Sequence, residues 1–197
     1  MYSFVHIGNL RTFIFEDVLR RTLAYAGYRV LHVMNLTDVD DKIIRDAARA
    51  KKTIFEFVKP YERAFFEDVK KLNILRALKY PKATRHIPAM IGLIGALLRR
   101  GLAYEADGSI YFDISAFRGY GKLSRINGAA VRRAESRGNA DEYAKDDVQD
   151  FALWKASRPG EPAWRAPFGE GRPGWHIECS AMSMKYLGSP FDIHAGG

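Results

Sequence analysis

Three short segments carry side chains whose types and spacing could do chemistry. His6-Ile7-Gly8-Asn9 sets an imidazole and a glycine just before an apolar-periodic stretch. Glycine there lets a ligand approach the backbone, the start of a helix attracts anions, and an imidazole can donate to a phosphate oxygen as charge develops. Asn35-Leu36-Thr37-Asp38-Val39-Asp40-Asp41-Lys42 follows a short apolar run, where a doubly wound sheet places its ligand contacts. In Gly171-Arg172-Pro173-Gly174-Trp175-His176-Ile177-Glu178-Cys179-Ser180, His176 and Cys179 fall three apart on one helical face, with Glu178 beside them. A thiolate suits zinc, but one cysteine cannot build a zinc site. Taken singly, each segment also reads as plain structure: a glycine turn, a capped helix with solvated carboxylates, a small buried cysteine beside a core tryptophan.

The elements that must hold these groups follow from periodicity and punctuation. Leu10, Ile14 and Val18, thickened by Phe15, Leu19 and Leu23, predict a core-facing helix with Asn9 as N-cap and Gly27 just past its end. Met1–Val5 reads as the stub of a strand before it, and Tyr28–Met34 as a strand after it. Thr37 is the expected N-cap of a second helix, with Asp40 in the capping-box position. Strand, helix, strand, helix is the opening of a parallel α/β sheet. A helical region from about Thr53 to Leu72 is expected to bend or restart at Pro60, and another from near Thr84 to Gly101 buries Ile87, Met90, Ile91, Ile94, Leu97 and Leu98. Residues 103–113 predict a hairpin turned by Asp107-Gly108. Residues 115–150 are polar and rich in Gly and Arg, and read as an irregular lobe. Phe151–Trp154 returns to strand character, 159–173 reads as a loop, Trp175–Tyr186 as a helix, and Phe191–His194 as a buried strand.

At 197 residues the chain has room for one domain, or one with an insertion. Hydrophobic residues make up 47% and charged residues 27%, which is a globular balance. No apolar run approaches the length of a membrane span, and no leader peptide is visible. A single cysteine excludes an internal disulfide framework and suits a reducing cytoplasm. Lys and Arg number 31 against 23 Asp and Glu, and the net +8 points to an anionic partner such as a nucleic acid, nucleotide or phosphate.

The order of the segments says more than any one of them. His-Ile-Gly-Asn, Asn-Leu-Thr-Asp-Val-Asp-Asp-Lys, Pro-Lys-Ala-Thr-Arg-His-Ile, Asp-Phe-Ala-Leu-Trp-Lys, Gly-Arg-Pro-Gly-Trp-His-Ile-Glu-Cys and Phe-Asp-Ile-His-Ala-Gly-Gly succeed one another along essentially the whole chain. This series resembles the catalytic domain of the cysteinyl-tRNA synthetases, a class I synthetase family. The resemblance implies a Rossmann-type parallel-sheet nucleotide domain divided as 1–101, a connective insertion over 102–150, and a return at 151–197. It implies two steps: cysteine attacks ATP to give cysteinyl-adenylate, and tRNA(Cys) takes the cysteinyl group. His6, Ile7, Gly8 and Asn9 match the family's ATP-binding motif, with His6 and Asn9 in the catalytic role. Thr37, Trp175 and His176 match the cysteine pocket, and Cys179 matches one ligand of a Zn2+ that grips the substrate thiolate. ATP with Mg2+, L-cysteine and tRNA(Cys) are the implied partners, in a cytoplasmic monomer without membrane attachment.

The chain departs from that family in what it lacks. The family's other zinc ligands lie in a Cys-Gly-x-Thr segment and a His-His-Glu-Asn-Glu segment, neither present here, and the Lys-Met-Ser-Lys-Ser loop is absent as well. The expectation is therefore a sequence cut at both ends, inactive alone and weak in zinc binding. Three other readings compete: a cysteine ligase with an amino-sugar acceptor, a non-catalytic truncated paralogue that binds tRNA or nucleotide, and a small zinc protein.

Overall fold

The computed structural model describes residues 2–122 and 150–196, so most of the expected irregular lobe lies outside the described residues. The chain divides into two compact units, 1–86 with 182–197, and 87–181.

The first unit holds the α/β opening. Helix α1 (Ile7–Tyr25) leads through Gly27, at φ 90°, into an extended segment. That segment pairs in parallel with residues 78–83, bridging Val33 to Lys79 and Leu36 to Lys82. Leu78 N donates to His32 O at 2.8 Å, Met34 N to Lys79 O at 3.1 Å, and Leu36 N to Pro81 O at 2.8 Å. Between the paired segments run α2 (Asp41–Arg49) and α3 (Ile54–Lys71), the crossover that parallel pairing requires. The core beneath joins Leu36, Phe65, Val69 and Ile74, with Val5, Phe13, Met34, Phe66 and Tyr80 against it.

Several expectations change here. The N-cap of α1 is His6, with Asn9 three residues inside, because the imidazole reaches the helix end that Asn9 was expected to cap. The N-cap of α2 is Asp40, whose carboxylate accepts Ile43 N–H at 2.6 Å. Thr37 cannot cap it, because residues 36–38 are still extended and tied to 81–84. The stripe on α1 is not a core face: Phe15 is 66% and Val18 55% exposed, and Asp17 is the helix's buried residue. Phe13, off that stripe, packs on Phe65, and polar latches add to it in docking α1. Asp17 accepts Leu75 N–H at 2.9 Å and Arg21 Nε–H at 2.7 Å, while Arg20 and Arg21 donate to the carbonyls of Arg76 and Asn73. Helix α3 is continuous through Pro60, which sits on its exposed side, where water can take the carbonyl the ring leaves without an N–H. Phe191–His194 forms no strand and Ile193 is 52% exposed, since among the described residues no segment pairs with it. Residues 2–5 likewise form no strand, although Val5 reaches the core.

The second unit is an antiparallel sheet with a helix on it. Helix α4 (Ile87–Arg99) buries Ile87, Met90 and Ile94, and packs on β1 (Ala103–Ala106). β1 pairs with β2 (Ser109–Phe112) across Asp107 and Gly108, both at positive φ, as the tight hairpin requires. β3 (Phe151–Ala156) follows, then β4 (Trp164–Ala166) and β5 (Gly169–Pro173), in the order β1-β2-β3-β5-β4. The expected loop over 159–173 is therefore a hairpin, with β5 in the interior of the sheet. Gly169 supplies the positive φ of the turn, and Gly171 is a packing residue: a Cβ there would overlap the Lys155 carbonyl and the Trp154 indole. Helix α5 (Trp175–Leu187) leaves β5 directly, and its residues from Met182 onward belong to the first unit. Among the described residues no helix is long and apolar enough to cross a membrane.

Candidate active site

The first unit places His6, Ile7, Gly8, Asn9 and Thr37. His6 ends an extended segment at φ −112°, ψ 172°, and its ring folds back over the first turn of α1. Gly8 N–H donates to His6 Nδ1 at 3.1 Å, and His6 N–H donates to Asn9 Oδ1 at 3.3 Å. The His6 carbonyl accepts from Asn9 N–H and Leu10 N–H, both at 3.0 Å. The helix end is therefore less open to an anion than a bare terminus, since the Gly8 and Asn9 N–H groups, two of its otherwise open donors, are taken by His6. What it offers is different. An Nδ1 that accepts must be unprotonated, so in the neutral ring the proton sits on Nε2, on the side away from the cap. The first turn of α1 holds no acidic residue, so the positive end of the helix dipole is not neutralised locally. His6 through Asn9 are exposed. A Cβ on Gly8 would stand 2.9 Å from His6 Cε1, so glycine is the residue that lets the ring lie there. Together these groups suit an anionic ligand such as a phosphate chain.

Thr37 is half-buried in the extended segment, directly before Asp38. Asp38 is 2% exposed, and its carboxylate accepts Thr84 N–H at 3.0 Å and Thr84 Oγ1–H at 2.6 Å. The structure thus brings together two segments far apart in sequence, Asn35–Lys42 and Pro81–Ile87. His86, buried beside them, is bound on both ring nitrogens, to Lys82 O at 2.6 Å and Tyr186 Oη at 2.9 Å. Sequence reading assigned no role to Asp38, Thr84, His86 or Tyr186. Asp38, Thr84 and His86 lie in two of the segments that carry the resemblance, but their pairing is not readable there, because the partners lie 46 and 100 residues away.

The second unit places Trp175, His176 and Cys179 on the first turns of α5. The start of that helix is seated on β3: Gly174 N–H donates to Leu153 O at 2.8 Å, and a Cβ on Gly174 would overlap the Ala152 carbonyl. That close approach is the physical content of the Gly-Arg-Pro-Gly-Trp spacing. Arg172, 4% exposed, pairs with Glu161 at 2.9 Å and fixes β5 from its other side. Ile177 and Glu178 are buried, whereas Trp175 and His176 are exposed, the His176 ring lying 4.5 Å from that of Phe151. Cys179 is half-buried. Among the described residues no group of three or more His, Cys, Asp or Glu is placed to hold a metal ion. Cys179 is one thiolate where tetrahedral zinc takes four ligands, so these residues do not by themselves fit the zinc that the resemblance implies.

With this geometry in hand, the comparisons are specific. Residues 1–197 match the family described as tRNA synthetases class I (C) catalytic domain. The chain is 52% identical over 201 residues to a cysteine–tRNA ligase of Chlamydia pneumoniae, covering all of this chain and 42% of that protein. A cysteine–tRNA ligase of Leptospira interrogans is 52% identical over 198 residues, and one of Protochlamydia amoebophila 53% over 202, with the same two coverages.

Proposed function

The chain belongs to the tRNA synthetases class I (C) catalytic domain family, and from that premise we propose that the protein carrying it activates cysteine with ATP and charges tRNA(Cys). The chain spans 42% of the length of these three relatives, each a cysteine–tRNA ligase. The observation that carries the proposal on the chain itself is the His6 cap, a neutral imidazole at an uncompensated helix end with its proton on the outward nitrogen.

In the proposed reaction a cysteine carboxylate oxygen attacks the α-phosphorus of ATP, which enters as its Mg2+ complex. The new carboxyl–phosphorus bond forms as the bond to the bridging oxygen breaks, and pyrophosphate leaves with the electron pair. His6 Nε2–H donates to a phosphate oxygen as charge builds there, and the positive end of α1 adds a fixed dipole. Gly8 holds the ring in place, and Asn9 fixes the backbone of His6 through its side-chain oxygen. Thr37, Trp175 and His176 are assigned to the cysteine. A terminal ribose hydroxyl of tRNA then attacks the carbonyl carbon, and AMP departs. Cys179 stands as the one candidate zinc thiolate. The net +8 suits a polyanionic acceptor. The connective insertion over 102–150, a monomeric state and a cytoplasmic location complete the proposal.

The test is an acceptor assay on the full-length protein, with cysteine, ATP and either tRNA or an amino-sugar. Cysteine transferred to tRNA is the expected result. Transfer to the amino-sugar alone would move the chain to the rival ligase reading, and tRNA binding without adenylate would support a non-catalytic module.

A further inference from the structure

Six aromatic rings of the second unit form a chain of contacts that its core does not require. Phe112, the last residue of β2, pairs across the sheet with Phe151, the first of β3. Their rings stack with centroids 5.1 Å apart and planes 14° from parallel. This pair is half-buried, and other rings extend it. Phe117 stands 6.2 Å from Phe112, and Tyr120 6.3 Å from Phe112 and 6.4 Å from Phe151. His176 lies 4.5 Å from Phe151, and Trp175 6.0 Å from His176. Trp175 is 63% exposed, Phe117 46% and Tyr120 42%, so the chain of rings has a half-buried middle and exposed ends. The segment carrying Phe117 and Tyr120 is held by directional bonds. Ile114 N–H donates to Asp150 Oδ1 at 2.8 Å, Phe117 N–H to Ile114 O at 3.2 Å, and Tyr120 N–H to Phe117 O at 2.9 Å. Asp113, the one carboxylate in 113–122, is engaged there too, accepting Ser115 Oγ–H at 2.6 Å and Ala116 N–H at 3.0 Å. Arg118 and Lys122, between and beyond the two rings, are exposed.

We propose that this ladder of rings is a stacking platform for the unpaired 3′-terminal nucleotides of tRNA, with Arg118 and Lys122 taking their phosphates. The proposal rests on the reading that the protein charges tRNA(Cys), in which the terminal ribose must arrive where the cysteinyl group is held. Contiguous large rings left in water mark a surface that a ligand covers. Flat faces with cations set among them fit a nucleobase stack and its backbone, and the occupant is a single strand because a duplex keeps its base faces to itself. A protein partner would be served as well by branched aliphatic side chains, which the ladder does not use. The ladder also has a direction. It ends on Trp175 and His176, the two residues of this unit assigned to the cysteine, so a strand stacked along it brings its last nucleotide to them. Stacking tolerates any base, so the platform positions the end of the strand without reading its sequence.

The experiment measures equilibrium binding of two transcripts to the full-length protein: tRNA(Cys) with its 3′ end intact, and the same tRNA shortened by its unpaired 3′ nucleotides. The proteins are wild type, Phe117→Leu, Tyr120→Leu and Tyr120→Phe, each also assayed for cysteine-dependent ATP–pyrophosphate exchange, which needs no tRNA. Phe117→Leu and Tyr120→Leu are each expected to weaken binding of the intact tRNA about tenfold, the worth of one stacked base, and Tyr120→Phe, which keeps the ring, to bind as wild type. With the shortened tRNA the four proteins should bind alike, because the nucleotides that the rings would touch are gone. Exchange should stay within about twofold of wild type throughout, since both side chains are exposed and the fold does not depend on them. Equal losses with both transcripts, or no loss in either leucine variant, would overturn the platform. So would a rise in KM for ATP in the exchange assay, which would assign the rings to adenine. A wild-type protein that exchanges pyrophosphate but neither binds nor charges tRNA would instead overturn the tRNA reading beneath the proposal, and the platform's occupant with it.

Discussion

The two units solve the same problem, holding a reactive group at the start of a helix, in opposite ways. In the first, α1 begins at an exposed end and is fixed by local capping, with His6, Gly8 and Asn9 satisfying one another within four residues. Its long axis is held by polar latches through Asp17, Arg20 and Arg21, and its apolar stripe stays largely exposed. In the second, α5 begins on a sheet, and what fixes it is the absence of side chains: Gly171 and Gly174 let β3 and β5 close to distances a Cβ would forbid. The comparison teaches that a helix end meant to touch a ligand can be held by residues that touch only each other, leaving the ligand side open. The start of α5 takes its position from backbone packing that leaves Trp175 and His176 exposed.

The largest effect expected from this contrast is on stability, and it belongs to the second unit. Gly174→Ala should cost about 3 kcal/mol or more, because the clash is with backbone and cannot be relieved by a side-chain swing. Chemical denaturation reads it, and a cost below about 1 kcal/mol would break the comparison. Glu161→Ala comes next, leaving the Arg172 guanidinium short of its carboxylate in a nearly buried site. A loss on the order of 2–3 kcal/mol is expected by the same measurement. In the first unit, Asp17→Ala should cost about 1–2 kcal/mol, since it strips the Leu75 N–H and the Arg21 side chain of one partner. An effect near zero would mean that the exposed stripe, not the latch, docks α1.

The smallest effect is a pH dependence, also in the first unit. His32 is half-buried and its pKa is held below the ordinary histidine value, first by burial and then by the charge of Arg20, with Asp17 opposing. The unfolded chain therefore binds the proton more readily than the folded one. The stability tied to His32 is present above its unfolded pKa, near 6.5, and is lost as pH falls from there toward the lower folded value. Replacing His32 with Phe should flatten the stability curve in that window and leave the acid limb below it, where carboxylates protonate. Thermal melts between pH 5 and 7.5 check the slope; an unchanged slope in His32→Phe would assign it elsewhere.

The elements legible in the sequence are those whose cause is local. The Asp107-Gly108 hairpin, the buried face of α4 and the helix from Trp175 follow from turn chemistry and periodicity, and each stands where its residues place it. The extended segment after α1 and the helices that follow it were legible too; its parallel partner, residues 78–83, was not, and the expected neighbour over Met1–Val5 forms no strand. What was not legible depended on partners distant in sequence. Thr37 fails as an N-cap because residues 81–84 hold it extended, and β4–β5 hid among prolines and glycines of which Gly171 serves close packing rather than a loop. The stripe on α1 has core periodicity, yet Phe13 on the core and polar contacts to 73–76 seat the helix. The candidate site divides in the same manner. The His6–Asn9 turn declares itself by composition, whereas the Asp38–Thr84 and His86–Tyr186 pairs appear only when the fold brings their segments together.

His6 is assigned two tasks, capping α1 with Nδ1 and donating to phosphate with Nε2, and one substitution separates them. Asparagine is a good N-cap but cannot supply the outward imidazole N–H. The decisive measurement is cysteine-dependent ATP–pyrophosphate exchange, alongside a thermal melt, on the full-length His6→Asn protein. The account predicts stability within about 0.5 kcal/mol of wild type with exchange about 100-fold slower. Exchange at the wild-type rate in a fully folded His6→Asn protein would contradict it.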